Sequence, residues 1–123
     1  MEPSIINKSS LRLALDSEVN ALRQIALSLS SLPETEKVVF FGSRSRGDFD
    51  ASSDMDILIV ISDIRIKDKV ISILHDIELE YDGPLSPVIF TEREYAVNKK
   101  LKSSFIENVE REGIVIYDSK RKG

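Results

Sequence analysis

The sequence predicts an α/β (α+β) domain, a mixed sheet of about four strands with helices, and three observations carry that expectation. Apolar residues recur at three- and four-residue steps in some segments and form short β-branched or aromatic runs in others. The two kinds of segment alternate in the order helix, strand, strand, helix, strand, helix, strand. At 123 residues the chain has room for one core and not for two ordinary domains. A single domain over 1–123, with an ordered core over about 10–118, is therefore expected.

Leu11, Leu15, Val19, Leu22, Ala26, Leu29 and Leu32 fall on one stripe of a helix covering about 10–32, which Pro33 ends. The run KVVFF at 37–41 stops at Gly42 and reads as a strand buried on both faces. DILIVI at 56–61 has the same composition and makes a second strand. Ile66, Val70, Ile73, Leu74, Ile77 and Tyr81 give a second amphipathic helix, closed by DGP at 82–84. SPVIFT at 86–91 is a third strand, with its proline near the start, where a strand tolerates one best. Thr91 then caps one helical stretch that runs to Gly113, and IVIY at 114–117 closes the sheet.

The composition excludes several classes. With 41% hydrophobic and 31% charged residues the chain is neither disordered nor of low complexity. No apolar run is long enough to span a bilayer, and the start lacks a basic segment leading into an apolar one, so a cytoplasmic protein with no membrane partner is expected. Without cysteine there is no disulfide, thiolate metal site or cysteine nucleophile, and any metal must be held by oxygen. A net charge of -4 argues against strong general nucleic-acid binding, which needs a basic face. KKLK at 99–102 and SKRKG at the tail read as solvated surface.

The chemistry concentrates in FFGSRSRGDFDASSDMDILIV, residues 40–60. Gly42 and Ser43 leave the first strand at its C-terminal end, and Asp54 and Asp56 enter the second at its start. Antiparallel pairing of the two strands brings both pairs to one edge of the sheet, whereas parallel pairing separates them. Asp54 and Asp56 are two apart, hence on one face of an extended chain with Cα atoms about 6.6 Å apart. Such a pair can hold two divalent ions at the roughly 3.5–4 Å spacing used in phosphoryl transfer. Mg²⁺ suits it, because Mg²⁺ takes few carboxylates and accepts phosphate oxygens and waters as its other ligands. Gly42 lets backbone approach a phosphate closely, and the Ser43 hydroxyl with the N–H groups of a helical turn offers an anion seat. Arg44 and Arg46 are candidates for phosphate contact or for ion pairs with Asp48 and Asp50.

Each pair alone is a common turn or a solvated strand edge; together, in this order, they are distinctive. An apolar strand ending Gly42-Ser43, Arg-x-Arg-Gly at 44–47, and Ser53-Asp54-x-Asp56 opening a second apolar strand closely resemble the minimal nucleotidyltransferases of the DNA polymerase beta superfamily, of the MntA-like antitoxin type. The resemblance implies a polymerase-beta-like core and transfer of a nucleoside monophosphate, with ATP as the expected donor, to a hydroxyl. It implies that Gly42, Ser43, Arg44 and Ser53 serve the nucleotide, and that Asp54 and Asp56 are catalytic and bind two Mg²⁺ ions. It also implies a helical HEPN-type ribonuclease as partner, silenced by adenylylation or by binding; a homo-oligomer is the other assembly expected.

The sequence departs from the family at one place. A third carboxylate usually opens the third strand, and here Ser86 stands there, followed by Pro87. By the resemblance, that substitution would leave the catalytic ion less well held than the triphosphate-bound one, and it raises the alternative of a catalytically weak or inactive module that neutralises its partner by complex formation. Asp82, four residues upstream, can replace the missing acid only if the DGP turn folds it back. A chain this short also has no room for a second domain over the nucleotide, so an open sheet face met by another chain is expected, with the third strand and the 92–112 segment as candidate surfaces.

Overall fold

The computed structural model describes residues 16–42, 54–81 and 84–121. Helix α1 spans Asp16–Ser30. Leu22, Ile25, Ala26 and Leu29 recur along it at three- and four-residue steps and are buried, the single inward stripe that an amphipathic helix needs. Ile25 belongs to that stripe beside the expected residues. Leu11 and Leu15 lie outside the described residues. Pro33, which cannot continue a helix, follows the last turn.

Strand β1 (Thr35–Phe41) and strand β2 (Met55–Ile61) run antiparallel. A short 3-10 turn, Ile64–Ile66, leads into helix α2 (Lys67–Tyr81), which crosses back so that β3 (Leu85–Thr91) lies parallel to β2. After two further helices, α3 (Glu92–Lys100) and α4 (Ser104–Glu112), strand β4 (Ile114–Asp118) pairs antiparallel with β1. The sheet order is β3-β2-β1-β4, a four-stranded mixed sheet as the sequence predicts. Pro87 sits in an edge strand, where a missing N–H is tolerated.

Helices cover both faces. Met55, Ile57, Ile59 and Ile61 of β2 pack with Val38 and Phe40 of β1 against α1 and α2. The alternate residues Leu58, Val60 and Val39 point the other way and pack with Tyr95, Phe105 and Val109 of α3 and α4. Ile57 through Ile61 are all buried, so the unbroken apolar composition of β2 follows from its position between two layers. The second face thus carries the chain's own α3 and α4, while β3 and the aromatic residues on that face remain only partly buried. Among the described residues, no helix is long and apolar enough to cross a membrane.

The stretch between Thr91 and Gly113 differs from the single helix expected. It opens as predicted: Thr91 Oγ1 accepts from the Glu94 N–H (3.1 Å) while Glu94 Oε1 accepts from the Thr91 N–H (2.9 Å), a reciprocal cap. It then breaks at Leu101–Ser103. Lys102 takes φ 54°, the Ser103 N–H donates to the Asn98 carbonyl (3.1 Å), and Ser103 Oγ accepts from the Ile106 N–H (3.2 Å) to start the next helix. The break folds α4 back on α3, where Tyr95 donates its hydroxyl hydrogen to Glu110 at 2.9 Å.

Candidate active site

The register of the sheet gathers the predicted residues that are described. Phe41 of β1 stands opposite Asp56 of β2, and Ser86 of β3 stands beside Asp56 on the other side. By strand alternation Asp56 shares a face with Leu58, Ser86 with Val88, and Phe41 packs with both apolar residues. Phe41, Asp56 and Ser86 therefore form a row across three strands, on the α3/α4 face and at one edge of the sheet. Asp54 lies one step further out, exposed, while Asp56 is half-buried.

Gly42 closes over this row. Its φ of 87° lies in the left-handed region, and a Cβ built there would run into Asp56 Oδ2. Two independent requirements thus demand glycine: the backbone conformation and the close approach of the turn to a carboxylate. Ser43, Arg44 and Ser53 lie outside the described residues, as does Asp82.

Asp56 is held above the usual carboxylate range, first by partial burial and second by the neighbouring Asp54 charge. A cation relieves both effects. Among the described residues no group of three or more His, Cys, Asp or Glu side chains could hold a metal ion; the site offers two carboxylates and the Ser86 hydroxyl. That donor set fits Mg²⁺, whose remaining positions are filled by waters and phosphate oxygens. Asp54 and Asp56 would hold the ion.

Two features of this edge escape the sequence reading. Phe41 and Phe105 meet edge to face with ring centroids 5.4 Å apart, and Phe105 meets Phe90 at 5.9 Å, an aromatic cluster that includes the register neighbour of Asp56. Their contact holds β1 and α4 together next to Asp56. The Glu78 carboxylate accepts the Leu85 N–H at 2.8 Å and so pins the start of β3 where Ser86 sits. A signal for the second existed: α2 ends with acidic residues and no basic one in its last turn, against the preference of a helix C-terminus. Two clefts, of about 370 and 380 Å³, lie elsewhere, one beside Asn20, Arg23 and Tyr81 on the opposite face, the other at the far end of the sheet around Tyr95.

A doubly covered mixed sheet with paired acids at one edge is the framework of an α/β domain that carries its chemistry at strand ends. The family model described as "Polymerase beta, Nucleotidyltransferase" matches residues 23–122. Two Methanocaldococcus jannaschii proteins are similar to the chain. Putative protein adenylyltransferase MJ0141 is 37% identical over 84 residues, covering 66% of this chain and 78% of that relative. Putative protein adenylyltransferase MJ0604 is 36% identical over 102 residues, covering 81% and 98%. Among solved structures, a toxin-antitoxin with AMP-PNP aligns with a TM-score of 0.55 at 16% identity, over 87% of this chain and 77% of that one; the likeness is one of fold. The chain belongs to the polymerase beta nucleotidyltransferase family.

Proposed function

We propose that the protein transfers AMP from ATP to a hydroxyl of a helical partner protein, with Mg²⁺ held by Asp54 and Asp56, and that it acts as an antitoxin. The observation that carries this is the paired-acid row beneath Gly42, in a chain whose curated relatives are named protein adenylyltransferases. A structural neighbour that is a toxin-antitoxin with AMP-PNP supports a nucleotide ligand and a toxin partner; the HEPN kind of toxin is the one that the motif resemblance implies. In the transfer the acceptor hydroxyl gives up its proton to solvent, its oxygen bonds to the α-phosphorus, and the bond from that phosphorus to the bridging oxygen breaks, releasing pyrophosphate. Mg²⁺ held by Asp54 and Asp56 would neutralise charge on the phosphates. Gly42 brings its own backbone against Asp56, and the pinned β3 start fixes Ser86 beside it.

One observation favours a second reading. Ser86 is in register with Asp56, at the position from which a third carboxylate would act, and a hydroxyl neither binds a cation as tightly nor accepts a proton as a carboxylate does. Under that reading the domain binds nucleotide and partner without efficient transfer. Incubating the protein with radiolabelled ATP, Mg²⁺ and the product of the neighbouring gene separates the two. Label on the partner that vanishes with Asp56→Ala establishes transfer. A stable complex without label establishes the binding module. Neither label nor complex sinks both.

A further inference from the structure

One face of α2 points away from the sheet. Val70, Leu74 and Ile77 turn inward and are buried, which leaves Asp68, Ile71, His75 and Leu79 exposed in a line on the other side. Ile71 is 44% and Leu79 67% exposed, and Ile64 in the preceding 3-10 turn is 54% exposed. These are three of the five large hydrophobic side chains exposed among the described residues. The flanking charges are biased along the helix: Arg65, Lys67 and Lys69 stand at the start beside Asp63 and Asp68, and Asp76, Glu78 and Glu80 at the end beside His75.

We propose that this face is a homodimer interface, in which α2 packs antiparallel against α2 of a second copy about a two-fold axis near Ile71. The face is self-complementary in one register. Setting Ile64 against Leu79 of the second copy also sets Asp68 against its His75 and brings the two Ile71 side chains together at the axis. On one flank Arg65 then approaches Asp76 of the second copy; on the other, Lys67 approaches its Glu78. An isologous contact repeats each of these pairs twice. A slip of one helical turn sets Leu79 against Asp68 and Ile71 against Asp76, apolar against carboxylate, so the charges select the register as they do in coiled coils. Glu78 is already held in place by the Leu85 N–H, and Arg65 by Asp63 at 2.8 Å, which lowers the ordering cost of both. Leu58 and Val88, which share a sheet face with Asp56 and Ser86, pack on the α3/α4 side, opposite α2.

One helix pair is a small interface, and the dimer is accordingly weak, with a Kd of about the micromolar range or above. Sedimentation of the full chain, over a series from about 1 μM to 1 mM, tests it. A concentration-dependent dimer is expected. Ile71→Arg, on an exposed position, raises the Kd at least about tenfold with the helical spectrum unchanged. Asp68→Lys weakens the dimer and Asp68→Lys with His75→Glu restores it, which a merely misfolded variant cannot do. A monomer throughout the series overturns the proposal. So does a dimer indifferent to Ile71→Arg and to the charge exchange, since such a dimer uses another face.

Discussion

The two ends of the sheet treat their charges in opposite ways. At the far end, Glu110 accepts a hydrogen bond from Tyr95 (2.9 Å) and pairs with Lys99 (3.2 Å), and the Lys37 ammonium lies over the Tyr95 ring at 5.6 Å. Burial pushes the Glu110 carboxyl up, but the Tyr95 and Lys99 hydrogen bonds outweigh it and leave the group below its ordinary range. The Tyr95 hydroxyl is pushed up to about 12, by burial first and by Glu110 second. At the carboxylate edge, burial and the Asp54 charge raise Asp56, and no cation or hydrogen-bond donor among the described residues brings it back. Among the described residues, the acid at one end is compensated by its neighbours and Asp56 at the other is not. A perturbed acid of the second kind is what functional sites recruit.

The largest test of this contrast is to remove the acids. Asp56→Ala and Asp54→Asn each should reduce transfer at least about 10²–10³-fold, the scale seen when one preorganised electrostatic group is deleted. Both should also abolish the rise in Tm produced by ATP with Mg²⁺, measured by thermal melting, while Glu110→Gln leaves that rise intact. Equal losses at the two ends would break the comparison.

Next in size are the glycines. Gly42 and Gly113 are both crowded, the first by Asp56 and the second by the Val109 carbonyl and the Val39 side chain, yet only Gly42 has a left-handed φ. Gly42→Ala should strain the backbone by about 1–3 kcal/mol and displace Asp56, so nucleotide affinity falls together with stability. Gly113→Ala should lower stability through overpacking, by about 1–3 kcal/mol, with the Kd for ATP unchanged. Chemical denaturation and nucleotide titration of the same two variants distinguish the cases.

Ser86 offers a gain rather than a loss. Its Cα is the register partner of Asp56, so Ser86→Asp should place a third carboxylate at the edge and raise single-turnover adenylylation by about tenfold or more. Affinity for ATP should change little, because the added acid acts on the activation of the acceptor rather than on the triphosphate. If the rate stays flat and the wild type is already fast, another group completes the site.

How much of this was legible follows from what each signal depends on. The helices and strands were readable because burial stamps a period on the sequence: Val70, Leu74 and Ile77 on α2, or the unbroken apolar run of β2. The edge was readable because antiparallel pairing of two consecutive strands leaves little choice about where Gly42 and Asp56 meet. The break at Lys102 was hidden, since a left-handed lysine carries no sequence mark and the paired serines at 103–104 announce a cap only once the helix is known to stop. The Glu78 tie and the Phe41–Phe105 contact were hidden for another reason. Both depend on contacts between elements whose relative placement is decided by the whole fold.

The smallest effect is also the most diagnostic, because the two ends predict opposite signs. Asp56 has a folded-state pKa above its unfolded value, so the ionised form is disfavoured by folding. That penalty is complete above the raised pKa and disappears as pH falls below the unfolded value near 3.8. Glu110 has a depressed pKa, so its contribution is present above the unfolded value of 4.5 and is lost as pH falls through the folded one. In the absence of ligand at neutral pH, Asp56→Asn should therefore raise Tm by about 1–4 °C and Glu110→Gln should lower it slightly. Both differences should shrink on acidification to below about pH 4, as wild-type carboxyls become protonated. Melting curves of the two variants across that range, recorded without nucleotide or metal, suffice. A stabilising Asp56→Asn whose advantage reverses once ATP and Mg²⁺ are added would place the uncompensated charge and the ligand at the same edge. A destabilising Asp56→Asn in the ligand-free protein would mean that the fold itself satisfies this carboxylate, and the contrast between the two ends would fail.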